Sequence, residues 1–225
     1  MKKRKNKKKV KIRYGRLVLA LVILGLIIYL IANYLNFPIK NIYVSNNTIL
    51  TDQEIIDIAG ISNYPSIITT KNSTIRKRLE KNEFILKATV KKKKLKEIYI
   101  SIEENYPLFY DSSSNKTVLY DGTKTKTNVN CAVLINYVPD TIYKDFKDKM
   151  KEIDRDILNR ISEIKYDPNS VDEERFLVTM NDGNYVYLTL FSFEKINNYV
   201  EILKNFESKK GILYLDSGEY FQVYE

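Results

Sequence analysis

The chain has 225 residues, with 37 Lys+Arg against 28 Asp+Glu and no histidine. Without histidine there is no Ser-His-Asp or Cys-His catalysis and no His-ligated zinc. A single cysteine, Cys131, excludes an intrachain disulfide and a cysteine-cluster metal site. Seven glycines, none in a G-x-G-x-x-G or Gly-Lys-Ser/Thr setting, leave no phosphate-cradling loop, so no cofactor, metal or small-molecule substrate is expected.

The net charge of +9 is not evenly spread. Residues 1–16 hold ten bases and no acid, and the rest of the chain has 27 bases against 28 acids. A basic excess confined to a tail argues against a nucleic-acid-binding domain. Leu17–Ala32 follows without a charge or a strongly polar group, and counting on to Leu35 gives about 28 Å of helix at about 1.5 Å per residue, enough for the hydrocarbon layer. The run is long for a signal-peptide core, and a small-x-small cleavage site is hard to find, since Leu30-Ile31-Ala32 puts Leu at the −3 position. Residues 17–35 are therefore read as an uncleaved anchor, with Leu17, Val22, Leu26, Leu30 and Leu35 among its lipid-facing residues and Tyr14, Tyr34 and Phe37 near the interfaces. The positive-inside rule keeps 1–16 in the cytoplasm and exports the remainder. The tail's charge serves orientation and anionic lipid; the competing reading is a tethered nucleic-acid binder.

Beyond the anchor, Ile39–Val44 is a short apolar strand. Thr51-Asp52-Gln53-Glu54 is a capping box opening a helix that buries Ile55, Ile56, Ile58 and Ala59 and stops at Gly60. A second helix over Ser73–Lys81 presents Ile75 and Leu79. Leu86–Lys92 alternates with Leu86, Ala88 and Val90 on one face, and Ile98, Ile100 and Ile102 share a face of the next strand. Residues 36–107 thus read β-α-α-β-β.

Residues 108–225 continue as a mixed α/β domain with a largely antiparallel sheet. Leu108–Tyr110 and Val118–Tyr120 are strand-like, Asp121-Gly122 is a turn, and Ala132–Val138 is an apolar run. From Ile142 to Ile164 the apolar positions recur every three or four residues, predicting helix split near Asp154. Phe176–Met180 and Tyr185–Leu190 flank the hairpin turn Asn181-Asp182-Gly183-Asn184. Ser192 is placed to cap a helix carrying Phe193, Ile196, Val200, Leu203 and Phe206, and Ile212–Leu215 and Tyr220–Tyr224 close the chain around Asp216-Ser217-Gly218.

The stretch 36–107 resembles a POTRA domain, and the whole chain resembles the FtsQ/DivIB family of bacterial division proteins. The family pattern V-x-G-N then L-T-x-x-x-I is met by Val44-Ser45-Asn46-Asn47 and Leu50-Thr51-Asp52-Gln53-Glu54-Ile55, with Asn46 replacing glycine; Asn enters the left-handed region more readily than other side chains. The closing I-x-I-x-I-x-E-x-x-P is met by Ile98 to Pro107, without the usual proline before that strand. The implied class is α+β: tail (1–16), transmembrane helix (17–35), POTRA domain (36–107) and family-type β domain (108–225). The implied function is a non-catalytic scaffold of the septal cell membrane that binds the bitopic proteins FtsL and FtsB/DivIC and helps regulate septal peptidoglycan synthesis.

The resemblance places partner docking on the last helix and strands: Phe193, Ile196, Tyr199, Val200 and Leu203, then Tyr214, Tyr220, Phe221, Gln222, Val223 and Tyr224. Those residues also suit strand addition, since 18 Tyr without Trp supply amphipathic surface and a terminal strand can leave backbone groups unpaired. The family's basic residue after the penultimate-strand aspartate is missing, because Ser217 follows Asp216. Two other readings stand beside this one. A wall-glycan hydrolase needs two carboxylates about 5–10 Å apart in a cleft, and Asp121, Asp182 and Asp216 sit at turns instead. A transport-associated POTRA protein is expected to carry repeats or a barrel. The lysine run 91–94, with Lys87 and Lys96, is either a solvated strand end that deters edge pairing or a contact for an acidic wall polymer or lipid.

Overall fold

The structure is a computed structural model describing residues 14–35, 37–94, 96–206 and 209–224. The basic tail, apart from its last three residues, lies outside the described residues. The chain divides into two units, one reaching Asn82 and including Lys87–Glu103, the other made of Glu83–Leu86 and Glu104 onward.

The first helix, α1, runs Tyr14–Leu35. It has high mean hydropathy and none of it is buried against protein, so by length and composition it is able to cross a membrane. Leu17, Val22, Leu26, Leu30 and Leu35 are all exposed on it.

The first unit continues with β1 (Asn41–Ser45), α2 (Asp52–Ala59), α3 (Asn72–Leu79), β2 (Ile85–Lys93) and β3 (Glu97–Glu104), as the sequence predicts. The sheet order is β1-β3-β2, with β1 parallel to β3. Asn46 leaves β1 at φ 66°, the left-handed turn that the family glycine would make. Both halves of the capping box form: Thr51 Oγ1 accepts from Glu54 N at 3.3 Å, and Glu54 accepts from Thr51 N at 2.8 Å. At the other end of α2, Gly60 is left-handed at φ 68°, and the Arg78 guanidinium donates to the Ala59 carbonyl at 3.0 Å, serving one of the orphan acceptors of the helix end. Ile55, Ala59, Ile75, Leu79, Ala88, Ile98, Ile100 and Ile102 form the core beneath.

The second unit contains β4 (Pro107–Asp111), β5 (Lys116–Leu119), β6 (Lys124–Thr125), β7 (Val133–Leu134), α4 (Asp140–Met150), α5 (Arg155–Leu158), β8 (Ile161–Tyr166), β9 (Arg175–Met180), β10 (Tyr185–Thr189), α6 (Tyr199–Leu203), β11 (Gly211–Tyr214) and β12 (Tyr220–Val223). They build one sheet in the order β12-β11-β10-β9-β8-β7-β4-β5-β6. Pairing is parallel at β10/β11, β7/β8 and β4/β7 and antiparallel elsewhere. Phe146 and Met150 of α4, Ile157 of α5, and Phe193, Ile196 and Tyr199 pack with Phe176, Val178, Val186, Leu188 and Leu213 in one core. Phe146, Phe176 and Phe193 are its centre, with ring centroids 4.7–5.8 Å apart.

Four readings of the sequence need correction. The helical spacing that runs on to Ile161 and Ile164 ends at α5, and both isoleucines belong to β8. A register shift between Ile161 and Glu163 makes the strand bulge, so two core-facing residues stand three apart and mimic a helix. The apolar run 132–138 forms only the two-residue strand β7, wedged between β4 and β8. Ser192 caps no helix: its hydroxyl is buried and donates to the Leu215 carbonyl at 3.0 Å. The expected single helix 193–206 is 3₁₀ turns over Leu190–Asn198, then the five-residue α6, then a further 3₁₀ turn over Lys204–Phe206.

Asp111, at the end of β4, is buried and accepts from Ser114 Oγ at 2.7 Å, Tyr143 Oη at 2.9 Å and Lys124 Nζ at 3.2 Å. Burial pushes its carboxyl up, and these donors more than offset that, holding it below the usual carboxylate range. A carboxyl lowered on folding stabilises the protein above its unfolded value, and that contribution is lost as pH falls through the folded value. In urea titrations Asp111→Asn is expected to be less stable at neutral pH and to lose less of its stability than the parent below about pH 4; parallel acid limbs would refute this. Thr51→Ala is expected to cost about 1 kcal/mol through loss of the helix cap, read from the same titrations.

Candidate docking edge

The β9–β10 hairpin turns at Gly183, φ 88°, and leaves Asn184 buried at the start of β10. Its carboxamide oxygen accepts from Gly211 N at 2.9 Å, and its amide nitrogen donates to Tyr199 Oη at 2.9 Å. Tyr199 in turn donates to Asp182, 2.8 Å from the nearer oxygen. Burial first, and then the Asp182 carboxylate, push the Tyr199 phenol well above its ordinary range, so it stays a donor. This chain of bonds holds the first residue of β11 against β10 across the long connection between them. Gly211 is required there for space: a Cβ would overlap the Gln222 carbonyl oxygen and meet the Phe221 ring.

β12 then pairs antiparallel with β11, Ile212 opposite Gln222 and Tyr214 opposite Tyr220. The phase follows from the bond that Tyr224 N donates to Lys210 O at 2.9 Å. Residues two apart share that phase, so Tyr220 and Gln222 direct N–H and C=O inward to β11, while Phe221 and Val223 direct theirs to the open edge. β12 is the last strand in the sheet order.

The side chains alternate accordingly. Phe221 packs toward the core, its ring 4.7 Å from Phe206. Tyr220, Gln222 and Tyr224 lie on the opposite face. There Tyr187 of β10, Tyr214 of β11 and Tyr220 of β12 stack in a row, with centroids 5.3 and 4.5 Å apart. The inner end of the row is Arg175 of β9, its guanidinium 3.6 Å from the centre of the Tyr187 ring. Asp216 accepts from Arg175 Nε at 2.8 Å and Asp167 from its terminal nitrogen at 3.1 Å. Burial opposes the arginine's charge, and Asp216 more than compensates, so its pKa is raised. Asp216 thus takes its basic partner from β9 rather than from the residue after it.

Of the residues the sequence assigns to docking, Tyr214, Tyr220, Phe221, Gln222, Val223 and Tyr224 come together on β11 and β12 and just after it. Phe193, Ile196 and Tyr199 do not join them on the surface. They are 0–1% exposed in the core, because the spacing that marks them is that of a packed face. Val200 is exposed, and Leu203 is half-buried against the core. Arg175, Tyr187 and the bond between Asn184 and Gly211 escape the sequence reading. Tyr185 and Tyr187 stand two apart in a strand beside a hairpin, a signal for a shared face; nothing marks Arg175.

The carboxylates considered for hydrolysis are engaged: Asp121 accepts from Thr123 N at 2.8 Å and Asp182 from Asn184 N at 3.1 Å within turns, and Asp216 accepts from Arg175 of β9. Burial lifts the Cys131 thiol to about 11, so at neutral pH it is not a thiolate. Among the described residues no group of three or more His, Cys, Asp or Glu is placed to hold a metal.

Gly211→Ala is expected to destabilise the second unit by about 1–3 kcal/mol, the range for overpacking, and to raise amide exchange at Gln222 and Tyr224 above that of β9. Uniform exchange across the sheet would place the strain elsewhere.

Residues 37–105 match the family model described as POTRA domain, FtsQ-type. The chain is 31% identical over 232 residues to the cell division protein DivIB of Bacillus anthracis, covering 97% of this chain and 86% of the relative. It is 29% identical to DivIB of Listeria monocytogenes, over 95% of this chain and 85% of that one. A solved structure, the major extracytoplasmic domain of the trans isomer of DivIB from Geobacillus stearothermophilus, aligns with 47% of this chain and 96% of its own at 25% identity and a TM-score of 0.38. The chain belongs to the DivIB family of bacterial cell division proteins.

Proposed function

We propose that this protein is a non-catalytic scaffold of the division septum that captures bitopic partners of the FtsL and FtsB/DivIC type by strand addition at β12, and through them helps to regulate septal peptidoglycan synthesis. The observation that carries this reading is the phase of the terminal strand. Phe221 and Val223 turn their N–H and C=O groups away from β11 at the end of a nine-stranded sheet, in the arrangement that lets an extended segment gain main-chain bonds. The half-exposed rings of Tyr220 and Tyr224 flank that edge and supply area that can be desolvated on both sides of a polar tip. Helix α1 holds the scaffold in the membrane, and the FtsQ-type POTRA domain follows it in the chain.

The register separates two proline variants that the sequence alone treats alike. Val223→Pro removes an outward donor, and proline is tolerated on edge strands where the N–H faces solvent. Tyr220→Pro removes a bond to β11 and frays the strand itself. Full-length protein is co-reconstituted with its bitopic partners and their affinity measured. Val223→Pro is expected to keep parental stability within about 1 kcal/mol and to weaken capture about tenfold or more, in line with the 1–3 kcal/mol cost of leaving a partner carbonyl unpaired. Tyr220→Pro is expected to lose both capture and stability. Undiminished capture by a folded Val223→Pro protein would eliminate strand addition at this edge.

A further inference from the structure

β2 and the turn after it carry Lys87, Lys91, Lys92, Lys93, Lys94 and Lys96 before the first acid, Glu97. A solvated strand end would send these ammonium groups into water, and several of them do otherwise. Lys92 Nζ donates to the carbonyls of Ile67 and Thr70, and burial lowers its pKa. The Lys96 ammonium lies 4.2 Å from the centre of the Phe37 ring, and that of Lys93 lies 4.5 Å from the Tyr99 ring. Lys94 stays largely exposed, with Glu97 3.8 Å away. Beside them opens a groove of about 600 Å³ whose apolar part is Phe37, Ile67 and Ile68, with Tyr34 at the end of α1, and whose polar part is Lys92, Lys93 and Lys94. Among the described residues none of those that line it is a carboxylate; Glu97, the partner of Lys94, stands outside the lining.

The groove's place in the chain decides what can reach it. Phe37 follows Leu35, the last residue of α1, by two residues. Two residues span at most about 7 Å, and the headgroup layer on one side of a bilayer is about 5–7 Å deep. An apolar ring so close to the hydrocarbon boundary, beside lysines and without a carboxylate, matches a molecule with an apolar shoulder and an anionic head. An acidic wall polymer offers the phosphates alone and leaves Phe37 and Ile68 without apolar contact.

We propose that this groove is an anionic-phospholipid site of the outer leaflet, with the headgroup phosphate held by Lys93, Lys94 and Lys96 and the glycerol and first acyl carbons resting on Phe37 and Ile68. Lys92, fixed to the carbonyls of Ile67 and Thr70, ties β2 to the segment that carries Ile67 and Ile68. The site is independent of the docking edge on β12.

The chain contains no tryptophan, so Ile68→Trp gives the full-length protein one fluorescent reporter in the groove. It is reconstituted in bilayers carrying either brominated phosphatidylglycerol or brominated phosphatidylcholine at equal fraction. The expected result is severalfold stronger quenching by the anionic lipid, and a preference that falls with added salt. With about 1 kcal/mol per lysine near a charged surface, each lysine is worth about fivefold. Lys93→Gln, Lys94→Gln and Lys96→Gln together therefore reduce the lipid preference by up to about a hundredfold, in practice to none. Phe37→Trp in an otherwise parental chain serves as a second reporter should the first disturb the fold by circular dichroism. Equal quenching by the two lipids overturns the proposal. So does a reporter that ignores lipid type and responds to soluble poly(glycerol phosphate), which would assign the groove to a wall polymer.

Discussion

The carboxamide of Asn184 joins parts of the second unit that are far apart in sequence, and the terminal strands depend on it. A parallel pair such as β10 and β11 cannot be closed by a tight turn; the chain must leave the sheet and cross back. Here the crossing runs from Leu190 through α6 to Gly211, and it covers the core with Phe193, Ile196 and Tyr199. A long connection leaves the landing point of the returning strand poorly defined. Asn184 defines it by accepting from Gly211 N while donating to Tyr199, a buried residue of the crossing itself. The same contact reports that the crossing has packed and that β11 has arrived. Buried polar networks are costly when half formed, which makes this one selective for a single register of β11, and therefore of β12.

On the other face of the same strands the constraint is aromatic. Tyr187, Tyr214 and Tyr220 occupy equivalent positions on β10, β11 and β12, so correct register stacks them and a one-residue slip sends them to opposite faces. Arg175, neutralised by Asp167 and Asp216, closes the inner end of the row. Asp216 lies just past β11, so the salt bridge also ties the start of the last turn to β9. The outer end, Tyr220, is half-exposed at the edge. A network on one face and a row of rings on the other thus hold a four-residue strand in one position, and no strand among the described residues pairs with its outer edge.

The sequence is most readable where local chemistry has one solution. Thr51 and Glu54 at capping-box spacing, Gly60 at a helix end, Asn46 in place of a turn glycine, and Asp182-Gly183 between two alternating runs each name a backbone geometry, and each geometry is present. It is least readable where one pattern has two causes. Ile161 and Ile164 stand three apart because β8 bulges, which periodicity cannot separate from a helix. Phe193, Ile196 and Tyr199 repeat as a docking face would, yet the same spacing serves a core, and only the fold shows which surface covers them. Arg175 is invisible for a different reason: its partners are 8 and 41 residues away, and a lone arginine at a strand start carries no local signal.

The two ends of the nine-stranded sheet are finished differently, and the contrast bears on why β12 stays open. At the far end, β6 is two residues long, and its surroundings are closed by side chains. Thr125 and Thr127 both donate to Glu83 at 2.8 Å, Thr127 N donates to Thr125 Oγ1 at 3.0 Å, and Lys124 turns back to Asp111. Those are the devices by which proteins prevent an edge from pairing: short length, charge and occupied donors. β12 has a longer ladder, no charged side chain between Tyr220 and Val223, and aromatic rings at positions that flank the free main chain. An edge of that kind is a hazard for self-association unless something else takes it, and tethering by α1 limits the ways two copies can meet. Protection at β6 and its absence at β12, within one sheet, are what the proposed capture of a partner at β12 requires.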